Sequence, residues 1–248
     1  MILNKDYFYI KKESIKDYMS CNFPFLFIYL IKIKYFIFKE RDRTVCGDTD
    51  IVLEGYPRSA NSFVSSIFNK YTSLNLSDHT HYIANVMLGL KMEKKIIVLI
   101  RDPKDAIISN VSLYIQSQIK DFNRQEQDFD DIFISALLDL SIKRYERFYN
   151  RIEDNENILF LPFYLITTDI NQSFENINNF FSLSISLPTD SFTLSENIIN
   201  EGGYHLGPSK ERDLIKERIN SIFKGRDEDI YKSSVIYKNI INKIDLKR

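Results

Sequence analysis

The chain is short of cysteine, glycine, proline and histidine, and each shortage narrows what it can be. Two cysteines, Cys21 and Cys46, in 248 residues allow neither a disulfide framework nor a cysteine zinc site, which fits a reducing compartment. Only seven glycines and six prolines against 44% apolar residues point to one well-cored domain rather than two. A formal net charge of −1 gives no global reason to expect nucleic acid or an anionic membrane as partner. There is no internal repeat. There is also no long apolar run: the most hydrophobic stretch, Pro24 to Phe38, is 15 residues with Lys32 and Lys34 inside it, too short and too charged to span a bilayer. A segment of mixed charge precedes it and no small-residue cleavage site follows, so it does not read as a signal peptide. It reads as a helix docked on the domain, with an interfacial membrane helix whose lysines snorkel as the open alternative. Glu40 to Asp50 is a polar connector.

What is present is a pair of strand-to-helix turns, each carrying an arginine. The first follows the apolar run Ile51-Val52-Leu53 and reads Gly55-Tyr56-Pro57-Arg58-Ser59-Ala60-Asn61-Ser62-Phe63. A helix continues from it with Phe63, Ile67, Phe68 and Tyr71 on its apolar face. Such a turn aims backbone N–H groups and a positive helix end at one point, which suits an anion. Arg58 adds a permanent charge and a forked donor. The turn lacks the Gly-Lys-Ser/Thr ending of a Walker A loop, since Asn61-Ser62 stands where Lys-Ser/Thr would be, so metal-bound nucleoside triphosphate is disfavoured.

The second turn follows Lys95-Ile96-Ile97-Val98-Leu99-Ile100, a short run that reads as a strand buried on both faces. It runs into Arg101-Asp102-Pro103-Lys104-Asp105-Ala106-Ile107-Ile108-Ser109, where Asp102 can cap a helix that has Pro103 early in it. Ligands of open parallel sheets bind beyond the carboxyl ends of the strands, so Arg58 and Arg101 would face one crevice. A Walker-type enzyme would end this strand in a metal-binding Asp; here the residue is Arg. Two cations without a metal carboxylate suit a ligand with two separate anionic groups.

Together these segments resemble the 5′-phosphosulfate loop and the 3′-phosphate motif of the sulfotransferases that use 3′-phosphoadenosine 5′-phosphosulfate (PAPS). The family's second motif, Arg-(Asn/Asp)-(Pro/Ala)-Lys-Asp-x-x-x-Ser, is matched at every fixed position from Arg101 to Ser109. The first is matched by Tyr56 to Phe63 with two departures, Arg58 for the common Lys and Ala60 for Gly. Alanine fits there only if its φ is negative. The resemblance spans roughly residues 50–182 and weakens towards 225. It implies a three-layer α/β sandwich with a mainly parallel central sheet, like that of P-loop NTPases, over residues 50–248, preceded by an N-terminal segment of residues 1–49.

It further implies that Arg58 and the backbone of Ser59, Ala60, Asn61 and Ser62 cradle the 5′-phosphosulfate. Arg101 and Ser109 would take the 3′-phosphate. Phe63 would lie beside the nucleotide, or in the core as a large apolar residue at a helix start commonly does. The family presents Lys-Thr-His ahead of the second strand, with His as general base. His79-Thr80-His81 matches it, which nominates His81 as base and His79 as an accessory catalytic group, the roles exchanging if the register shifts by two. A neutral imidazole can take the proton as an acceptor hydroxyl attacks sulfur. Arg58 hardly gives up a proton, so its help to the leaving phosphate would be electrostatic.

Further along, Ser117 to Asp131 is charged and amide-rich and reads as a loop, either mobile near the acceptor or simply solvated. Residues 132–150 show helical periodicity, Asn157 to Leu161 a third strand, Asn171 to Phe181 a helix, and residues 209–222 another. Phe163 stands near the place of the family's adenine-facing aromatic. Gly202 and Gly203 stand in that of its C-terminal phosphate-closing loop, but the Arg-Lys pair of that loop is missing and Lys210 or Arg212 are the available substitutes. The expectation is a cytoplasmic sulfotransferase that consumes PAPS, releases adenosine 3′,5′-bisphosphate (PAP), uses no metal, and acts on a hydroxyl of a glycan or small metabolite, or less favourably on an amine. Contact with a membrane periphery through residues 24–38 stays open, as does the oligomeric state. The competing readings are a P-loop-like nucleoside or sugar kinase and a nucleotide-binding module without catalysis.

Overall fold

The computed structural model describes residues 2–152, 155–188, 196, 198 and 210–246. The glycines at 202 and 203, with His205, lie outside them. Two helices lead the chain, α1 (Ile2–Asn22) and α2 (Pro24–Phe38), and the connector then enters strand β1 (Ile51–Gly55). There follow α3 (Asn61–Tyr71), β2 (Leu76–Ser77), α4 (Ile83–Lys91), β3 (Lys95–Ile100) and α5 (Pro103–Phe122). The second half contains α6 (Asp131–Asn150), β4 (Ile158–Pro162), α7 (Phe163–Thr168), α8 (Ile170–Phe181), α9 (Lys210–Phe223) and α10 (Asp227–Leu246).

The four strands form one parallel sheet in the order β2-β1-β3-β4. Because side chains alternate along a strand, each strand serves two cores. Val52, Ile96, Val98 and Ile100 point into one, closed by α4, α5, α6 and α9. Ile51, Leu53, Ile97 and Leu99 point into the other, under α3, α7 and α8. Near-continuous apolar runs in β1 and β3 are what two-sided burial demands. The result is the expected three-layer α/β sandwich with a parallel sheet.

Caps fix where the helices begin. Asp102 accepts from Asp105 N–H at 3.2 Å, and Pro103 opens α5. Asp130 accepts from Phe133 N–H at 2.7 Å at the start of α6. In α8, Ile170, Phe174, Ile177 and Phe181 recur at helical spacing and are all buried. The Ser117 to Asp131 segment corrects the loop expectation. Residues 117–122 continue α5, with Ile119 packed on the core, and Glu126–Asp128 form one 3-10 turn. Arg124 then grips both carboxylate oxygens of Asp6, at 2.7 and 2.8 Å, which ties the segment to α1.

Candidate active site

The first turn closes only because Gly55 is glycine. A Cβ there would lie 2.7 Å from both Asn61 Oδ1 and Leu99 O. Asn61 Nδ2 donates to Tyr56 O at 3.0 Å and draws the turn together. Helix α6 then pins both turns with two buried phenols. Tyr149 accepts from Tyr56 N–H at 3.3 Å and donates to Leu99 O at 2.7 Å. Tyr145 donates to Arg101 O at 2.8 Å. Arg58 and Ala60 adopt left-handed backbone, with φ of 69° and 73°. The expectation of a negative φ at Ala60 is therefore wrong: the turn keeps the geometry a glycine adopts freely, at a cost of about 1–2 kcal/mol for a residue with a Cβ.

The two arginines meet, as the strand ends require. Arg101 donates from Nη1 to the Arg58 carbonyl at 3.0 Å, and Arg58 Nε donates to Ser109 Oγ at 3.1 Å. Buried Arg212 of α9 is close enough to act on the same group. The Arg58 guanidinium is lowered to about 10, first by burial, then by Arg212 and Arg101. Three guanidinium groups that raise one another's electrostatic energy make a site for a multiply charged anion. Arg101 Nε is buried without a hydrogen-bond partner, and an unmet buried donor of this kind is costly unless a ligand meets it. The Phe163 ring stacks on the Arg101 guanidinium at 4.1 Å. Arg212 itself is held by Gln116 Oε1 at 2.8 Å, while Lys210 is exposed.

The histidines divide. His81 lines the cavity described below, with φ of 63°. Its Nδ1 lies 3.0 Å from the Gly55 carbonyl, which can only accept, so Nδ1 carries the proton and Nε2 keeps a free lone pair. Burial, and secondarily the neighbouring His79, push its pKa down to about 3, so the ring is neutral. His79 instead turns away from the cavity. Its Nδ1 lies 2.6 Å from Asp78 Oδ1, and its Nε2 lies 3.3 Å from Ser62 Oγ. His79 thus touches the phosphate loop rather than the space an acceptor would occupy.

Between the turns and the N-terminal helices lies a cavity of about 890 Å³. Its floor is Arg58, Ala60, Asn61, Ser62 and Phe63. Arg101 and Phe163 close one end. The lining also includes Tyr9 and Glu13 from α1, Arg43, Tyr82, and Arg144 from α6, beside the apolar Leu113 and Ile166. Glu13 accepts from the Tyr82 hydroxyl at 2.9 Å and lies 3.6 Å from Arg144. Ser59 and Ser109 are buried behind the surface, where the backbone of the first and the hydroxyl of the second support the floor.

Comparison with protein families decides the assignment: the sulfotransferase domain is matched over residues 10–201. The chain belongs to the sulfotransferase family. Comparison with curated proteins returned no match. Among solved structures, that of mouse sulfotransferase SULT7A1 complexed with PAP matches with a TM-score of 0.45 at 13% identity, covering 81% of this chain and 91% of that one.

Several groups that build this sulfotransferase site were not singled out from the sequence. Glu54 is fully buried near the end of β1 and accepts from Thr80 N–H at 2.7 Å, Thr80 Oγ1 at 2.6 Å, His81 N–H at 3.0 Å and Asn85 Nδ2 at 3.0 Å. Burial raises its pKa to about 7, while the Thr80 hydrogen bonds, the His79 charge and the Asn85 bond pull the other way. The signal for it was there: one carboxylate within an otherwise apolar strand. Tyr145, Tyr149, Glu13 and Arg144 gave no such sign, because each reaches the site from a helix that reads as ordinary core or surface.

Proposed function

We propose that this enzyme transfers the sulfuryl group of PAPS to a hydroxyl of a glycan or small polar metabolite, with His81 as general base. The observation that carries the reading is His81 itself, a neutral imidazole among the cavity's lining residues, held by its Nδ1–H so that the lone pair is on Nε2. PAPS brings an activated sulfuryl group whose leaving phosphate accepts the electron pair of the broken S–O bond. The residues do the rest. Nε2 of His81 takes the acceptor proton as the acceptor oxygen bonds to sulfur. Arg58 and the amides of Ser59 to Ser62 stabilise the charge that develops on the 5′-phosphate oxygen. Arg101 takes the 3′-phosphate, a role its unmet Nε fits, with Ser109 and Arg212 backing it from beneath the surface, Ser109 through its hydrogen bond with Arg58 and Arg212 through its charge. Phe163 and Phe63 flank the nucleotide. Anions entering beside three guanidiniums also favour a charged imidazolium, so bound donor raises the basicity of His81 when it is needed.

The hydroxyl acceptor is supported by the polar part of the cavity lining. Phenols, a carboxylate and guanidiniums there suit a ligand with several hydroxyls more than an apolar one. Incubating the protein with PAPS and separate panels of saccharides, small alcohols, phenols and amines tests this, with sulfated product read by mass spectrometry. Product in the saccharide or small-alcohol panel supports the reading. Product with amines alone would overturn the hydroxyl assignment, and none with any panel would overturn the acceptor class.

A further inference from the structure

Helix α2 buries one apolar face and leaves another open. Phe27 and Ile28 pack against Ala84 of α4. At 100° per residue, Phe25, Leu26, Tyr29, Leu30, Ile33, Phe36 and Ile37 fall within an arc of about 140° on the other side, and all are exposed, Phe36 by 87% and Ile37 by 63%. A soluble helix facing water would be polar there. Lys32 and Lys34 border this arc on its two sides; Lys34 is half-exposed and its ammonium can reach outward, whereas Lys32 is turned towards the connector. Local charge departs from that of the whole chain. Residues 24–43 hold five Lys and Arg against two Asp and Glu, while the full sequence has a net charge of −1. At 15 residues the helix extends about 22 Å, short of the roughly 30 Å hydrocarbon core. No helix among the described residues is long and apolar enough to cross a membrane.

We propose that α2 lies in the surface of an anionic lipid bilayer, its open apolar face among the acyl chains and its basic flank against lipid phosphates. Basic residues bordering an exposed apolar arc match a surface that is apolar beneath and negative above; a second copy of this chain would bring the same positive charge against itself. Lys34 pairs with Glu40 at 2.8 Å and Lys32 donates to Val45 O at 3.1 Å. The first pair is half-exposed and weak enough to yield to lipid phosphate. Arg43, five residues past the end of the helix, lines the cavity. The docking itself does not depend on the identity of donor or acceptor.

The test is co-sedimentation of the full chain with phosphatidylcholine vesicles, with and without phosphatidylserine, and gel filtration with light scattering in parallel. The wild type should partition onto phosphatidylserine vesicles and leave them as salt rises. The double variant Phe36→Glu/Ile37→Glu should lose at least about tenfold in partition, because each buried aromatic or aliphatic side chain contributes more than one factor of ten. An unchanged melting temperature shows that the variant is folded, and Leu26→Gln/Leu30→Gln provides a second, milder version. No vesicle binding by the wild type, or binding that both double variants retain, overturns the proposal. So does a wild-type dimer that the variants abolish, since a second copy would then cover the face.

Discussion

Glu54 holds the backbone of His81: its Oε2 accepts the His81 N–H at 3.0 Å, while Oε1 accepts both the N–H and the hydroxyl of Thr80. The carboxylate thereby fixes the left-handed backbone of His81, while the Gly55 carbonyl holds its ring through Nδ1. Above about pH 7, where Glu54 is ionised and both oxygens accept, Glu54→Gln keeps the shape but supplies only one acceptor oxygen. With that oxygen facing Thr80, its NH2 points at the His81 N–H and leaves it unmet, at a cost of about 1–3 kcal/mol. Where that cost falls on the transition state, turnover should drop by roughly 5- to 150-fold, with donor affinity unchanged. Equal losses in turnover and donor binding would mean that Glu54 supports the whole site rather than His81.

The same carboxyl gives stability a defined pH response. Its pKa is raised from 4.5 to about 7, so the folded chain holds a proton there that the unfolded chain has released. That contribution is complete below about pH 4.5 and is lost as pH rises through 7. His81, depressed from 6.5 to about 3, acts in the opposite sense, adding stability as pH rises between those values. Urea unfolding at a series of pH values should therefore show the wild-type advantage over Glu54→Gln shrinking from pH 4.5 to 7. A difference that does not change over that window would contradict a buried, protonated Glu54.

His81→Ala should cut sulfuryl transfer by about 10²–10⁴-fold while leaving PAP affinity nearly unchanged. His79→Ala should do less and act differently, because its Nε2 meets Ser62 in the phosphate loop; donor affinity is the quantity to watch. Steady-state kinetics on both variants separates them. If His79→Ala abolishes turnover and His81→Ala does not, the base is His79.

The left-handed Ala60 predicts an easy stabilisation. Glycine removes the Cβ strain of about 1–2 kcal/mol and returns about 0.4–1 kcal/mol to the unfolded chain as freedom. Ala60→Gly should thus gain roughly 0.5–1 kcal/mol by denaturant unfolding. A loss of stability would show that neighbouring contacts of the methyl group outweigh the backbone strain.

What could be read in advance was whatever depends on neighbours in sequence. The apolar runs of β1 and β3 announced buried parallel strands, and each turn carried its arginine openly. That ligands of parallel sheets bind beyond the carboxyl ends of the strands put both turns at one crevice, and the sheet brings Arg58 and Arg101 into contact. The backbone sign at Ala60 was misjudged because residue type argues against φ > 0 while the closure of the turn by Gly55 and Asn61 requires it. The loop expectation after Ser117 failed because charge there marks pairing with Asp6, more than a hundred residues earlier, rather than solvation. Tyr149 illustrates the general limit. It lies in a stretch that reads as a helix and is buried, but nothing nearby in sequence shows that its hydroxyl bridges the ends of two strands.

The central claim is that the joined arginines hold a nucleotide with separate 5′ and 3′ anionic groups, and calorimetric titration tests it directly. PAP should bind the wild type more tightly than adenosine 5′-monophosphate, and more tightly than ATP with Mg²⁺. In Arg101→Ala, PAP should weaken by about tenfold or more, since a hydrogen bond to a charged group contributes roughly 1.5–3 kcal/mol, and the monophosphate should change little. Equal affinities for PAP and the monophosphate, or equal losses for both in the variant, would contradict the assignment of Arg101 to a 3′-phosphate.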